Sequence, residues 1–131
     1  MEKKKNTNSD STSKVGKFFG NLYSFNSSLK LYHWHVTGPG SYAEHMALDQ
    51  AIDELSPSID SIVETSYAMF GDIEIIIPET KLPKNIIKHA EDFYKYIEDS
   101  RDLFKENFSL AICDNLQQAI QQLLYRLKRL K

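Results

Sequence analysis

From Val15 onward, apolar residues recur at steps of three and four: Val15, Phe18, Phe19, Leu22, Phe25, Leu29, Tyr32 and Val36. Steps of that kind line one side of a helix, whereas a half-buried strand alternates every second residue. Thr37-Gly38-Pro39-Gly40 stops the pattern and turns the chain. Ser41 is expected to cap a second helix, with Glu44 three residues later in the capping-box position. Its stripe is Leu48, Ile52, Leu55, Ile59 and Ile62, ending near Phe70-Gly71, and Pro57 inside it is expected to kink it. Pro83 opens a third helix carrying Ile86, Ile87, Ala90, Phe93, Tyr94, Ile97 and Phe104. Asn107 or Ser109 starts a fourth, with Ile112, Leu116, Ala119, Ile120, Leu123 and Leu127. Four amphipathic helices of this length make a bundle, so the fold expected over 13–131 is all-α. Residues 1–12, rich in Lys, Asn, Ser and Thr without periodicity, are expected to form a disordered basic tail. The linker 71–82 contains Ile75-Ile76-Ile77-Pro78. Fully extended it reaches roughly 40 Å, so a short connection and a crossover along the bundle are both open.

Composition narrows the function. A chain of 131 residues holds one domain. No apolar run approaches the roughly 20 residues that span a bilayer, and no apolar segment follows the basic N-terminus as in a secretory signal. Cys113 is the sole cysteine, which excludes a disulfide framework and a cysteine-based zinc site and makes a cytoplasmic location the expectation. The net charge of −2 is unevenly spread: residues 1–17 carry +3, the last six carry +4, and the body between carries −9. Such a body suits cation capture, and the ends suit polyanions or are simply solvated.

The chemistry concentrates in residues 33–64. His33 falls on the apolar stripe of the first helix, eleven residues after Leu22, where an imidazole needs a partner. On the second helix His45 and Asp49 share a face, as do Asp60 and Glu64. Eleven residues, about three turns, separate Asp49 from Asp60, so both pairs point in nearly the same direction and border the core stripe. Each pair alone reads as a solvated face. Yet His45 and Glu64 lie about 28 Å apart along the helix and cannot share an ion within one chain. A two-fold partner with its axis near Asp53-Glu54 sets His45 and Asp49 of one chain against Glu64 and Asp60 of the other. Imidazole plus carboxylate, with positions left open for an oxidant, suits iron.

The segment His33-Trp34-His35-Val36-Thr37-Gly38-Pro39-Gly40, followed by His45, Asp49 and then Asp60-x-x-x-Glu64, resembles the signature of the Dps miniferritins over roughly residues 15–70. The resemblance implies a ferritin-like four-helix bundle with a di-iron ferroxidase centre at a dimer interface. His33, His45 and Asp49 would come from one chain, and Asp60 and Glu64 from the other. It implies oxidation of Fe(II), preferentially by hydrogen peroxide, storage of ferric mineral in a twelve-subunit shell, and non-specific DNA contact through a lysine-rich tail. The chain departs from the family in three places. The linker 71–82 has no room for the short helix that family members place between the second and third helices and use in the dimer contact. His35 and Ser41 stand where an asparagine and a bulky aromatic residue are usual. No Glu-x-x-His occurs, so the intrachain di-iron site of ordinary ferritins is not expected. Two other readings compete with iron oxidation: a DNA-compacting protein using the basic tail, and a purely structural helical subunit.

Overall fold

The structure, a computed structural model, describes residues 2–130, with side chains from Ser11 onward. Four helices, α1 (Glu2–His35), α2 (Ser41–Phe70), α3 (Ile86–Ser100) and α4 (Asn107–Arg129), follow the periodic segments, with a single 3₁₀ turn at Arg101–Leu103. Ser11 and Thr12, expected in the tail, are helical. The side chains of the remaining tail residues, including Lys3, Lys4 and Lys5, lie outside the described residues. No helix among the described residues is long and apolar enough to cross a membrane.

Three boundary expectations are corrected. Gly40, not Ser41, is the N-cap of α2; its φ of 80° is one that glycine adopts freely, and no side chain caps this end. The capping box therefore does not form. Helix α3 begins at Ile86, because Asn85 accepts a hydrogen bond from the Lys88 amide, 3.1 Å, and supplies the cap. Phe104 lies beyond α3 yet is buried against Phe18, ring centroids 5.7 Å apart. Helix α2 runs unbroken through Pro57.

The cross-bundle contacts give the directions. Asn26 bonds Ser56 and His45 bonds the His33 carbonyl, so α1 and α2 are antiparallel. Ser28 meets His89, Phe25 stacks on Phe93, and Asn21 bonds Tyr96, so α3 also runs against α1. Helices α2 and α3 are therefore parallel, and 71–85 must return along the whole bundle. The crossover topology left open by linker length is the one adopted. Gln117 bonds Glu98 and Lys128 bonds Glu91, so α4 runs against α3 and hence against α2, where Arg126 reaches Glu54 at 3.5 Å. Phe18, Phe19, Leu22, Leu29, Leu48, Leu55, Ile62, Ile97, Leu116, Ile120 and Leu123 fill the core. Cys113 lies among them, and burial pushes its thiol up to about 11, leaving it unreactive near neutral pH.

The crossover lies directly on two glycines of α1. A Cβ at Gly16 would stand 2.0 Å from the Glu74 carbonyl oxygen, and one at Gly20 would stand 1.8 Å from that of Ile76. Four helical residues rise about 6 Å and two extended residues about 6.6 Å, so the carbonyls of 74 and 76 match the glycine spacing. Ser24 then meets Thr80, hydroxyl oxygens 2.9 Å apart, and the Tyr67 hydroxyl closes the start of the segment by donating to the Ile73 carbonyl, 2.9 Å. The clash at Gly20 is with backbone and has no flexible side chain to yield. Gly20→Ala is therefore expected to lower stability by about 3 kcal/mol, or about 10 °C in Tm, in a thermal melt.

His89 anchors α3 to α1. Ser28 Oγ donates to the Phe25 carbonyl, 2.6 Å, so its single proton is used. His89 Nε2, 2.7 Å away, must then be the donor to Ser28, which fixes the tautomer. Burial lowers the His89 pKa below its usual 6.5, with Asp92 opposing. A depressed histidine means that the unfolded chain takes up the proton first. Stability is thus complete above about pH 6.5 and declines as pH falls below it. His89→Gln should flatten that decline in urea melts taken between pH 7 and pH 5.

Candidate metal centre

The turn after α1 builds the site. With Gly38 and Gly40 both at positive φ, the chain reverses between His35 and Ser41 and brings α2 back beside the last turn of α1. His33 and His45 then stack with ring centroids 3.7 Å apart and planes inclined by 25°. His45 Nδ1 lies 3.1 Å from the His33 carbonyl oxygen. A carbonyl only accepts, so Nδ1 carries the proton and Nε2 keeps its lone pair. The same bond satisfies one of the free carbonyls at the end of α1.

His33 is buried, at 6% exposure, and neither ring nitrogen has a hydrogen-bond partner among the described residues. Its Nε2 lies 3.3 Å from Asp49 Oδ1, close enough for attraction but not aligned as a hydrogen bond. Burial above all, then the neighbouring His45, pushes its pKa below 6.5, while Asp49 acts in the opposite sense. A buried imidazole with two unsatisfied nitrogens is costly as a core residue. The neutral form that burial favours is the one that ligates metals. One ligand atom each from His33, His45 and Asp49 lies within 4.8 Å of the others, so these three could hold an ion.

Lys30 is the residue that sequence reasoning missed. Its Nζ stands 3.6 Å from Asp49 Oδ1 and 5.7 Å from the centre of the Trp34 ring. It therefore shares Asp49 with His33. Its position one turn before His33 on α1 was a usable signal.

Asp60 and Glu64 are exposed on α2, about 17 and 23 Å beyond Asp49 along the helix axis. No cluster of three metal-ligating side chains among the described residues includes either. The chain thus brings together three of the five expected ligands and leaves two facing outward. His35, exposed beside the Tyr32 ring, and His89, bonded to Ser28, belong to neither group.

Fold and site together define a four-helix bundle with a two-histidine, one-carboxylate cluster at the first helix reversal. A family model described as a family of unknown function (DUF5856) matches residues 33–127, and the chain belongs to that family. The matched segment begins at His33 and includes Asp60 and Glu64. No curated protein and no solved structure matches the chain.

Proposed function

We propose that this protein is a ferritin-like, Dps-type ferroxidase that binds Fe(II) between two chains, oxidises it and holds the ferric product. The observation that carries this reading is the buried His33 imidazole, without a hydrogen bond at either nitrogen and set against His45 and Asp49. Three ligands from one chain leave an iron ion with open positions. In an antiparallel pair, Asp60 and Glu64 of the second chain fill some of them, and the rest admit an oxidant. Asp49 sits with the two histidines, which favours a place on the same ion over a place on a separate one. The acidic body draws in cations, and carboxylate ligands favour Fe(III) over Fe(II). Two ferrous ions supply the two electrons, and the solvent two protons, that convert one hydrogen peroxide to two waters. The crossover between α2 and α3 further supports the reading, since ferritin-like bundles have one such connection. Assembly from two-fold dimers, as far as a twelve-subunit shell, and a cytoplasmic role against oxidative damage follow as parts of the proposal.

Ferrous iron added aerobically or with peroxide, and followed in the near ultraviolet, tests it. Absorbance should rise and break at a fixed iron-to-chain ratio. A rate no faster than buffer, with no bound iron after desalting, would overturn the assignment.

A further inference from the structure

A cavity of about 380 Å³ opens between α1, α3 and the end of the crossover, on the side of α1 that faces α3. The metal ligands lie elsewhere, between α1 and α2. The volume is that of a small-molecule site. Its apolar lining is aromatic: the rings of Phe25, Phe93, Tyr96 and His89 line it, and no Leu, Ile, Val or Met does so among the described residues. Such rings favour a flat aromatic partner, which gains offset stacking beyond plain burial. Phe25 and Phe93 already stack, centroids 4.1 Å apart and planes within 3°. Phe25 is buried and Phe93 half-buried, so Phe93 is the ring with surface left for a third.

Both ends of the cavity are polar. At one end Asn21 Nδ2 donates to the Tyr96 hydroxyl oxygen, 2.7 Å. The phenolic proton and Asn21 Oδ1 stay unused among the described residues, a donor and an acceptor side by side. Turning the amide over exchanges their roles and keeps the pair. At the other end His89 gives its Nε2 proton to Ser28. Burial keeps the ring neutral near pH 7, so Nδ1 holds a lone pair, with no bond among the described residues and without being enclosed. Seven residues on α1 and seven on α3 separate the two ends, from Asn21 to Ser28 and from His89 to Tyr96. That rise is about 10.5 Å, and two hydrogen bonds of about 2.9 Å leave about 5 Å between them, the length of two fused rings. Glu79 and Lys81 at the rim carry opposite charges and select no net charge.

We propose that this cavity binds a free purine base, a neutral and planar pair of fused nitrogen rings. The base stacks on Phe93. Its six-membered edge, amidine in adenine or amide in hypoxanthine, pairs a donor and an acceptor with Tyr96 and Asn21. Its N9–H donates to His89 Nδ1. The site goes beyond the iron reading and does not depend on it.

Isothermal titration of the full-length protein with adenine and with hypoxanthine tests this. At least one should bind, one molecule per chain, with a dissociation constant of about 100 μM or tighter. Adenine alone would assign the amidine edge, and hypoxanthine alone the amide edge. The matching nucleoside, whose ribose replaces the N9 proton, should bind about tenfold more weakly. Phe93→Leu should weaken binding about tenfold through the lost ring face. Tyr96→Phe keeps the ring and its packing and should weaken binding about tenfold through the lost hydroxyl. Neither base bound at about 1 mM, or binding that both variants leave within about twofold, would overturn the proposal. Nucleosides that bind as tightly as the bases would overturn it too, because His89 could not then be taking the N9 proton.

Discussion

Replacing His33 by Leu should abolish metal binding and at the same time make the metal-free protein more stable. Both effects come from one fact: the imidazole is buried with no hydrogen bond to either nitrogen. A buried polar group without a partner costs about 1–3 kcal/mol, and leucine fills similar space without that penalty. The expected gain is about 1 kcal/mol, read as a higher denaturation midpoint in the presence of chelator. The loss of binding should exceed the roughly 10–100-fold that accompanies removal of a mere outer-shell partner. His45→Leu should differ in stability. His45 supports the end of α1 through the His33 carbonyl, so its loss removes a satisfied hydrogen bond. Isothermal titration with ferrous iron under anaerobic conditions, paired with urea melts, reads both quantities. A His33→Leu protein that is less stable and still binds iron would mean that His33 is a structural core histidine.

The second large effect separates specific carboxylates from acidic decoration. Glu64→Gln keeps the shape of the side chain and removes its charge, and should reduce ferrous oxidation at least tenfold. Glu64 is exposed and makes no ion pair within its chain among the described residues, so the fold should be unaffected within about 0.5 kcal/mol. Asp53→Asn removes an equally exposed charge from the same helix, near the proposed axis but away from the ligands. It should change the rate by less than twofold. Stopped-flow absorbance of the three proteins at matched iron loading makes the comparison. Equal losses in both variants would mean that α2 acts only through its diffuse negative field.

The helices and the meeting of three of the candidate ligands were legible because they depend on short spacings. Steps of three and four residues identify the buried stripes, and Phe18, Leu22, Leu29, Leu48, Leu55 and Ile62 are buried accordingly. His33, His45 and Asp49 come together because a tight glycine turn brings residues twelve apart in sequence face to face. What spacing could not supply was the meeting of distant segments. The crossover was undecided because chain length permits either route. What fixes its path is two glycines on α1 that admit the carbonyls of Glu74 and Ile76, a contact between segments more than fifty residues apart. Gly16 and Gly20, one turn apart inside a helix that alanine would stabilise, were the signal available. The cap at Gly40 went unseen for a related reason. Ser41 fits the capping rule, but the positive φ at Gly40 settles where the helix starts. Lys30 reads as a surface lysine until α2 is laid beside it and Asp49 comes within 3.6 Å.

The central claim, one metal site made by two chains, is tested most directly by mixing two inactive variants. His45→Ala destroys one half of each site and Glu64→Ala the other. In a mixed two-fold dimer, one interface site combines both defects and the other contains neither. Equal amounts of the two variants, unfolded together and refolded, should therefore oxidise ferrous iron at about a quarter of the wild-type rate, given random pairing and independent sites. Each variant refolded alone should remain at background. Background activity in a mixture that mass spectrometry shows to contain mixed dimers would contradict a shared site.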